Sequence, residues 1–283
     1  MKIYIDGNYY DKENAKISVF DHGLLYGDGI FEGLRIYNNK VFKLKEHIKR
    51  LYMSAKAINL EIGMTPADME ETVNECVKKN NRENGYIRLL VTRGRGDLGI
   101  DPSNCQKASI IIITADISLY PKEYYEKGIP IITSSTRRMP ADCLDPRIKS
   151  LNYLNNIMAK LEAKQAGCLE AVMLNKEGFV TECSADNIFI VNKNSIISPK
   201  PNYGSLEGIT RETVFEIAEF LSIECREDTL TKYDLYNADE CFITGSGAEI
   251  MPVTCVDSRN IGNGVPGKLT KMLIEEFKNV IAL

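Results

Sequence analysis

The chain has 283 residues, 44% hydrophobic and 26% charged, which is enough apolar material for one large domain or two smaller ones. A formal net charge of −4 leaves no basic field that would favour nucleic acid as a partner. The longest apolar run, ASIIIITA at 108–115, is too short to cross a bilayer, so no membrane association is expected, and MKIYIDGNYYDKENAK has no apolar segment of the signal-peptide kind.

In chain order, KIYIDG and AKISVF alternate as strands. GIFEGLRIY and KVFKL flank a hairpin turn at Asn38-Asn39. A helix follows near Lys45, with Ile48, Leu51, Tyr52, Ala55 and Ile58 on one face. A second helix begins at Thr65, a good N-cap, with Pro66 at its first position. YIRLLVTRG and ASIIIITAD read as strands around the loop GRGDLGIDPSN. The Tyr-, Pro- and Gly-containing stretch after residue 118 reads as a connector, 119–132, between a smaller N-terminal α/β domain, 1–118, and a larger C-terminal domain, 133–283. Beyond it, IPIITSS is a strand and RRMPADCLDPRI a loop. LNYLNNIMAKLEAKQAG is a helix with Leu151, Leu154, Met158 and Leu161 on one face and Gly167 as its stop. Strands are predicted at EAVMLN, FVTECS, NIFIVN and DECFITGS, and a helix at GITRETVFEIAEFLS. The pattern is α+β in two parts, not regular βαβ winding.

The eight cysteines form no C-x-x-C pair, and His22 and His47 are the only histidines, so neither a metal site nor a small disulfide framework is expected. Scattered cysteines fit a reducing cytoplasm, where they fill small apolar gaps. Cys183, beside Glu182, is a candidate oxidation sensor only if its thiol pKa is depressed.

Four stretches can carry chemistry. Lys149, in DPRIKSLNYLNN, stands at an extended-to-helix junction; a lysine becomes a nucleophile when burial or a cationic neighbour lowers its pKa, but spacing alone does not overturn the reading as a surface lysine. Gly208, in EGITRETV, precedes a helix N-terminus that can hold phosphate, or that Thr210 can simply cap. TGSGAEI can present N–H groups to an anion or form a plain turn. Glu182, in VTECSADNIFIV, needs a partner if buried and otherwise faces outward.

Taken in order, IKSLNYLNNIMAKLEA, GFVTECSADNIFIV, LEGITRE and ITGSGAEIMPV resemble the fold-type IV pyridoxal-phosphate enzymes. FDHGLLYGDGIFEGLRIY and YIRLLVTRGRGDLGIDP narrow the resemblance to the branched-chain amino acid aminotransferases. It implies the two-domain fold of the D-amino acid aminotransferases, with a barrel-like sheet in the larger domain, and a homodimer or larger homo-oligomer. It also implies pyridoxal 5′-phosphate held as a Schiff base on Lys149. Glu182 then faces the pyridine nitrogen, Tyr153 the phenolic oxygen, and Leu206 the ring. Arg50, Ile209, Thr210 and Ser246 form the phosphate cup. Periodicity alone puts Arg50 off the apolar face of its helix, in solvent.

The N–H groups of Gly247 and Ala248 would receive the substrate α-carboxylate. Tyr26, Phe31, Gly33 and Tyr86 would line a side-chain pocket, although composition alone reads Tyr26, Phe31 and Tyr86 as core, and Arg88 would take the distal carboxylate of glutamate. The chain departs from the family in Ser246-Gly247-Ala248, often Thr-Ala-Ala, in Cys183-Ser184-Ala185, and in Leu89, often proline. The expected reaction exchanges the amino group of leucine, isoleucine or valine with 2-oxoglutarate. The rivals are a D-amino acid aminotransferase, which tends to pair an arginine with a histidine absent from TRGRGDLGIDP, and aminodeoxychorismate lyase. A non-enzymatic binding domain would lack Lys149 or Glu182, and both are present.

Overall fold

The computed structural model describes residues 1–116 and 120–282. The chain divides into two compact units, Met1–Ile117 with Ile148–Asn152, and Ser118–Arg147 with Tyr153–Leu283. The first residue of the expected connector, Leu119, lies outside the described residues.

In the first unit, β1 (Lys2–Ile5) and β2 (Asn8–Asp11) form a hairpin through Asp6 and Gly7, both at positive φ. The strand expected at 15–20 does not form; NYYD takes the pairing because its turn is the tight one. Next come α1 (His22–Tyr26), β3 (Gly29–Tyr37) and β4 (Lys40–Val41), the last two joined by Asn38 and Asn39 at positive φ, as expected. Helices α2 (Leu44–Ala57) and α3 (Pro66–Lys79) precede β5 (Gly85–Thr92) and β6 (Ser109–Ala115). Thr65 caps α3 by accepting from Asp68 N. The antiparallel sheet runs β2-β1-β6-β5-β3-β4. Ile48, Leu51 and Ala55 of α2 and Met69, Val73 and Cys76 of α3 join Ile30, Leu34, Ile36, Ile87, Leu89 and Ile112 in one core.

Residues 148–152, assigned by the sequence to the C-terminal domain, cluster instead with this unit. The cause is backbone pairing to β3: Phe31 N donates to Lys149 O and Leu151 N to Gly29 O, each at 2.9 Å.

The second unit contains α4 (Lys122–Lys127), β7 (Ile129–Thr133), α5 (Ala141–Leu144), α6 (Leu154–Gln165), β8 (Glu170–Leu174), β9 (Val180–Cys183), β10 (Asn187–Asn192) and β11 (Ser195–Pro199). It continues with α7 (Ile209–Phe220), β12 (Cys225–Asp228), α8 (Lys232–Tyr236), β13 (Glu240–Gly245), β14 (Glu249–Val256), β15 (Arg259–Asn260) and α9 (Lys268–Ala282). The mixed sheet runs β12-β11-β10-β13-β14-β7-β8-β9, with β15 against β14.

Helix α6 departs from expectation. It begins at Leu154, leaving Leu151 outside, and its apolar stripe faces outward: Leu154 is 69%, Ile157 50%, Met158 46% and Leu161 47% exposed. Its buried residues are Asn156, Ala159 and Ala163, small or hydrogen-bonded side chains that let the helix lie close to the sheet. Among the described residues no helix is long and apolar enough to cross a membrane, and no group of three or more His, Cys, Asp or Glu side chains could hold a metal ion.

Candidate active site

In the first unit, β3 alternates its side chains across two faces. Phe31 and Gly33 look one way, toward Tyr86 and Arg88 of the paired strand β5, where Gly33 stands opposite Arg88. The Arg88 guanidinium lies 4.6 Å from the Phe31 ring centre and 5.6 Å from that of Tyr86, a cation between two aromatic faces. A Cβ on Gly33 would sit 1.9 Å from Tyr86 Oη, so only glycine lets that ring lie over β3. Lys149 reaches the same cluster. Its Nζ is 4.7 Å from the Phe31 ring centre, and its backbone is held on both sides, N–H to Ser54 Oγ at 3.2 Å and C=O by Phe31 N. Tyr26 lies on α1, packed edge-on against His22, with its hydroxyl donating to Leu98 O.

On its other face β3 carries Glu32, fully buried. Arg50 Nε and Nη2 donate to its two oxygens, each at 2.8 Å, and His47 Nδ1 lies 2.7 Å from Oε2. Burial acts to raise the Glu32 carboxyl pKa, but the Arg50 and His47 charges and hydrogen bonds outweigh it and hold it well below the usual carboxylate range. Burial lowers the His47 imidazole, against the pull of Glu32. An ionised carboxylate can only accept, so the His47 ring carries a proton on Nδ1. Arg50 is therefore buried and not solvated as periodicity suggested, because its partner comes from a strand and lies outside the helical pattern.

In the second unit Glu182 is 5% exposed. One oxygen accepts from Arg138 Nη2 at 2.5 Å; the other accepts from Leu206 N at 2.9 Å and Asn187 Nδ2 at 3.1 Å. Arg138 also holds Gly204 O at 2.9 Å, and Asn187 also holds Leu206 O at 2.8 Å. Glu182 is thus not an outward strand residue. All four residues of β9 are buried, so no alternation marks a solvent face. The sequence signalled that a buried Glu182 needs a partner, but nothing in it singled out Arg138 or Asn187.

Helix α7 opens at Ile209 with Gly208 as its N-cap and no side-chain cap, so Thr210 is a buried first-turn residue and not the cap. Ser246 and Gly247 lie in the turn between β13 and β14, and Ala248 is buried beside them. Thr244, just before that turn, pairs with Asn187 across β10 and β13. Tyr153 stands at the N-cap of α6 and is partly buried. Cys183 is fully buried, and burial pushes its thiol pKa well up, which makes it an inert packing residue and no oxidation sensor.

Pyridoxal phosphate suits this arrangement. The Ser205 and Thr244 hydroxyls, next to Leu206 and Gly245, are buried and find no hydrogen-bond partner among the described residues. The first-turn N–H groups of α7 meet no capping side chain, as an anion there requires.

Residues 29–256 match the family model for amino-transferase class IV. A Methanocaldococcus jannaschii protein provisionally named a branched-chain-amino-acid aminotransferase is 51% identical over 281 residues, 99% of this chain and 96% of that protein. The D-alanine aminotransferase of Bacillus licheniformis is 34% identical over 99% of this chain and 97% of its own. The crystal structure of the T.th. branched-chain amino acid aminotransferase with pyridoxamine 5′-phosphate superposes with a TM-score of 0.95 at 38% identity, covering 99% of this chain and 93% of that one. A family match over most of the chain, and a shared fold along nearly all of it, place this chain among the class IV aminotransferases.

Proposed function

We propose that this chain transfers amino groups reversibly between L-leucine, L-isoleucine or L-valine and 2-oxoglutarate, giving branched-chain 2-oxo acids and L-glutamate, with pyridoxal 5′-phosphate as cofactor. The observation that carries the reading is the Phe31–Gly33–Tyr86–Arg88 cluster, which sets one half-buried guanidinium between aromatic faces, with the Lys149 amine on the same Phe31 ring. Apolar walls accept a hydrocarbon side chain, and the guanidinium accepts the distal carboxylate of glutamate. Tyr26 lines the same pocket.

When bound, the cofactor ring supplies an electron sink. Lys149 Nζ forms the covalent link and carries the proton that leaves the substrate α-carbon. Glu182 faces the ring nitrogen, with Arg138 as its charged partner. Tyr153 faces the phenolic oxygen and Leu206 packs on the ring. Arg50, the N–H groups of Ile209 and Thr210, and Ser246 hold the phosphate, while Gly247 and Ala248 N–H groups receive the α-carboxylate.

The D-alanine aminotransferase likeness gives a second reading weight. Against it, no histidine stands in the Thr92 to Pro102 loop, and His22, which reaches that loop from α1, is 1% exposed with Nε2 on Asp97 O at 2.8 Å. The test is the visible spectrum of the cofactor-loaded protein with L-leucine and, separately, D-alanine. Bleaching by L-leucine alone is expected; a response to D-alanine alone would refute the L-specific reading.

The outward apolar stripe of α6 supports a homodimer. Met158→Glu, at 46% exposure, should yield monomer in sedimentation without unfolding; an unchanged sedimentation coefficient would remove the stripe from the interface. Eight free thiols suit work in a reducing cytoplasm.

A further inference from the structure

Asn187 takes no part in the roles above, yet it touches three of the pieces they need. It is 6% exposed at the start of β10. Its Nδ2 donates both to Glu182 Oε2, at 3.1 Å, and to Leu206 O, at 2.8 Å. Its Oδ1 occupies the space above Gly208, where a Cβ would stand 2.0 Å away. Its backbone pairs with Thr244, which leads into the Ser246–Ala248 turn. An amide has two donor hydrogens and one acceptor oxygen, and here both donors go to neighbours on different segments. A carboxylate held by one charged and two neutral donors has little freedom to rotate, and the amide ties that carboxylate to the carbonyl of Leu206, two residues before the α7 N-cap.

We propose that Asn187 is a positioning residue that fixes the Glu182 carboxylate and the Leu206–Gly208 segment relative to each other, so that the ring nitrogen and the phosphate of one cofactor are met together. The inference rests on the reading of Glu182 as the carboxylate at the ring nitrogen. Asn187 touches no reacting atom in this role; it acts through Glu182 and Leu206.

The test is an equilibrium titration of apo protein with pyridoxal phosphate and with its deaza analogue, in which carbon replaces the ring nitrogen. The wild type should prefer pyridoxal phosphate, since only it offers an N–H to Glu182. Glu182→Gln should abolish that preference; if it does not, the reading of Glu182 fails, and this inference with it. Asn187→Ala should lower the preference about tenfold while the apo protein still unfolds in one cooperative urea transition, at a lower midpoint because Leu206 O loses its donor. A purely structural asparagine would weaken both ligands equally and leave the ratio unchanged. That result, with Glu182→Gln behaving as expected, would overturn the proposal and leave the function intact. Should Asn187→Ala not fold, Asn187→Ser gives the same comparison with a hydroxyl too short to reach both partners. Gly208→Ala offers an independent check, because the atom its methyl would meet first is Asn187 Oδ1, at 2.0 Å. It too should lower the ratio, and an unchanged ratio there would count against the proposal.

Discussion

Replacing Arg138 by methionine probes the most buried ion pair of the second unit. Arg138 is 7% exposed and Glu182 5%, and they meet at 2.5 Å. Methionine keeps most of the packing volume, so the loss is electrostatic. Glu182 would remain buried with two neutral donors, Leu206 N and Asn187 Nδ2, and Gly204 O would lose its donor. Removing one member of a buried pair costs about 3–5 kcal/mol, because the other charge stays desolvated, and the orphaned carbonyl adds about 1 kcal/mol. Glu182→Gln should cost a similar amount for the converse reason. The double variant Arg138→Met/Glu182→Gln leaves neither charge buried alone, so its cost should fall at least ~2 kcal/mol short of the sum. Urea unfolding of the four apo proteins, at one pH and with m-values compared, measures that coupling. Costs that add to within about 0.5 kcal/mol would refute the reasoning, since the two side chains would then not interact.

Lys149→Ala should keep the apo fold, within about 1 kcal/mol in urea, because it truncates a half-buried side chain that lies on Phe31 and leaves the core behind β3 intact, yet lose nearly all transamination in a coupled assay. Retained turnover would remove Lys149 from the chemistry. Arg88→Ala should lower kcat/KM for glutamate about tenfold or more beyond its effect on leucine, since only glutamate brings a second carboxylate to the guanidinium; equal losses would exclude dual recognition by Arg88. Glu162 gives the pH prediction. Burial acts to raise its pKa, but hydrogen bonds from Thr136 Oγ1, Ser135 N and Thr136 N prevail and bring the carboxyl down to about 2. A depressed folded pKa contributes stability above the unfolded value, about 4.3, and loses it as pH falls toward the folded one. Glu162→Gln should therefore cost about 2 kcal/mol at pH 7, and the gap from wild type should narrow steadily from about pH 5 downward. A gap that stays constant to about pH 3 would contradict this.

What the sequence showed clearly was local. Asn38-Asn39 announced a hairpin because two consecutive residues that tolerate positive φ are rare outside one. Thr65-Pro66 announced a helix start because hydroxyl cap and fixed φ act within one turn. The order of motifs carried the family and the fold, which the solved T.th. aminotransferase matches along the chain. What stayed hidden was non-local. The buried state of Arg50 depends on Glu32, a residue on a strand 18 positions earlier, and hydrophobic periodicity contains no term for that pairing. The strand at NYYD was hidden by its polar composition, while AKISVF, with better alternation, found no neighbour.

Helix α6 and strand β9 show the same limit from opposite sides. Periodicity states which residues share a face, but not whether that face meets the protein's own core. In α6 the small side chains Ala159 and Ala163 take the inner face, and the large apolar ones are left outside. A monomer gains nothing from that arrangement, which is the ground on which the proposed homodimer places the stripe in its interface. In β9 no periodicity exists, because every residue is buried, and a glutamate in such a strand must be met by charge and hydrogen bonds from elsewhere in the fold. Arg138 arrives from the loop after β7, Leu206 N from the segment before α7, and Asn187 from the next strand. Three unrelated segments converging on one carboxylate is a demanding arrangement to maintain for stability alone. Its natural explanation is that the carboxylate must stay in one place for a ligand.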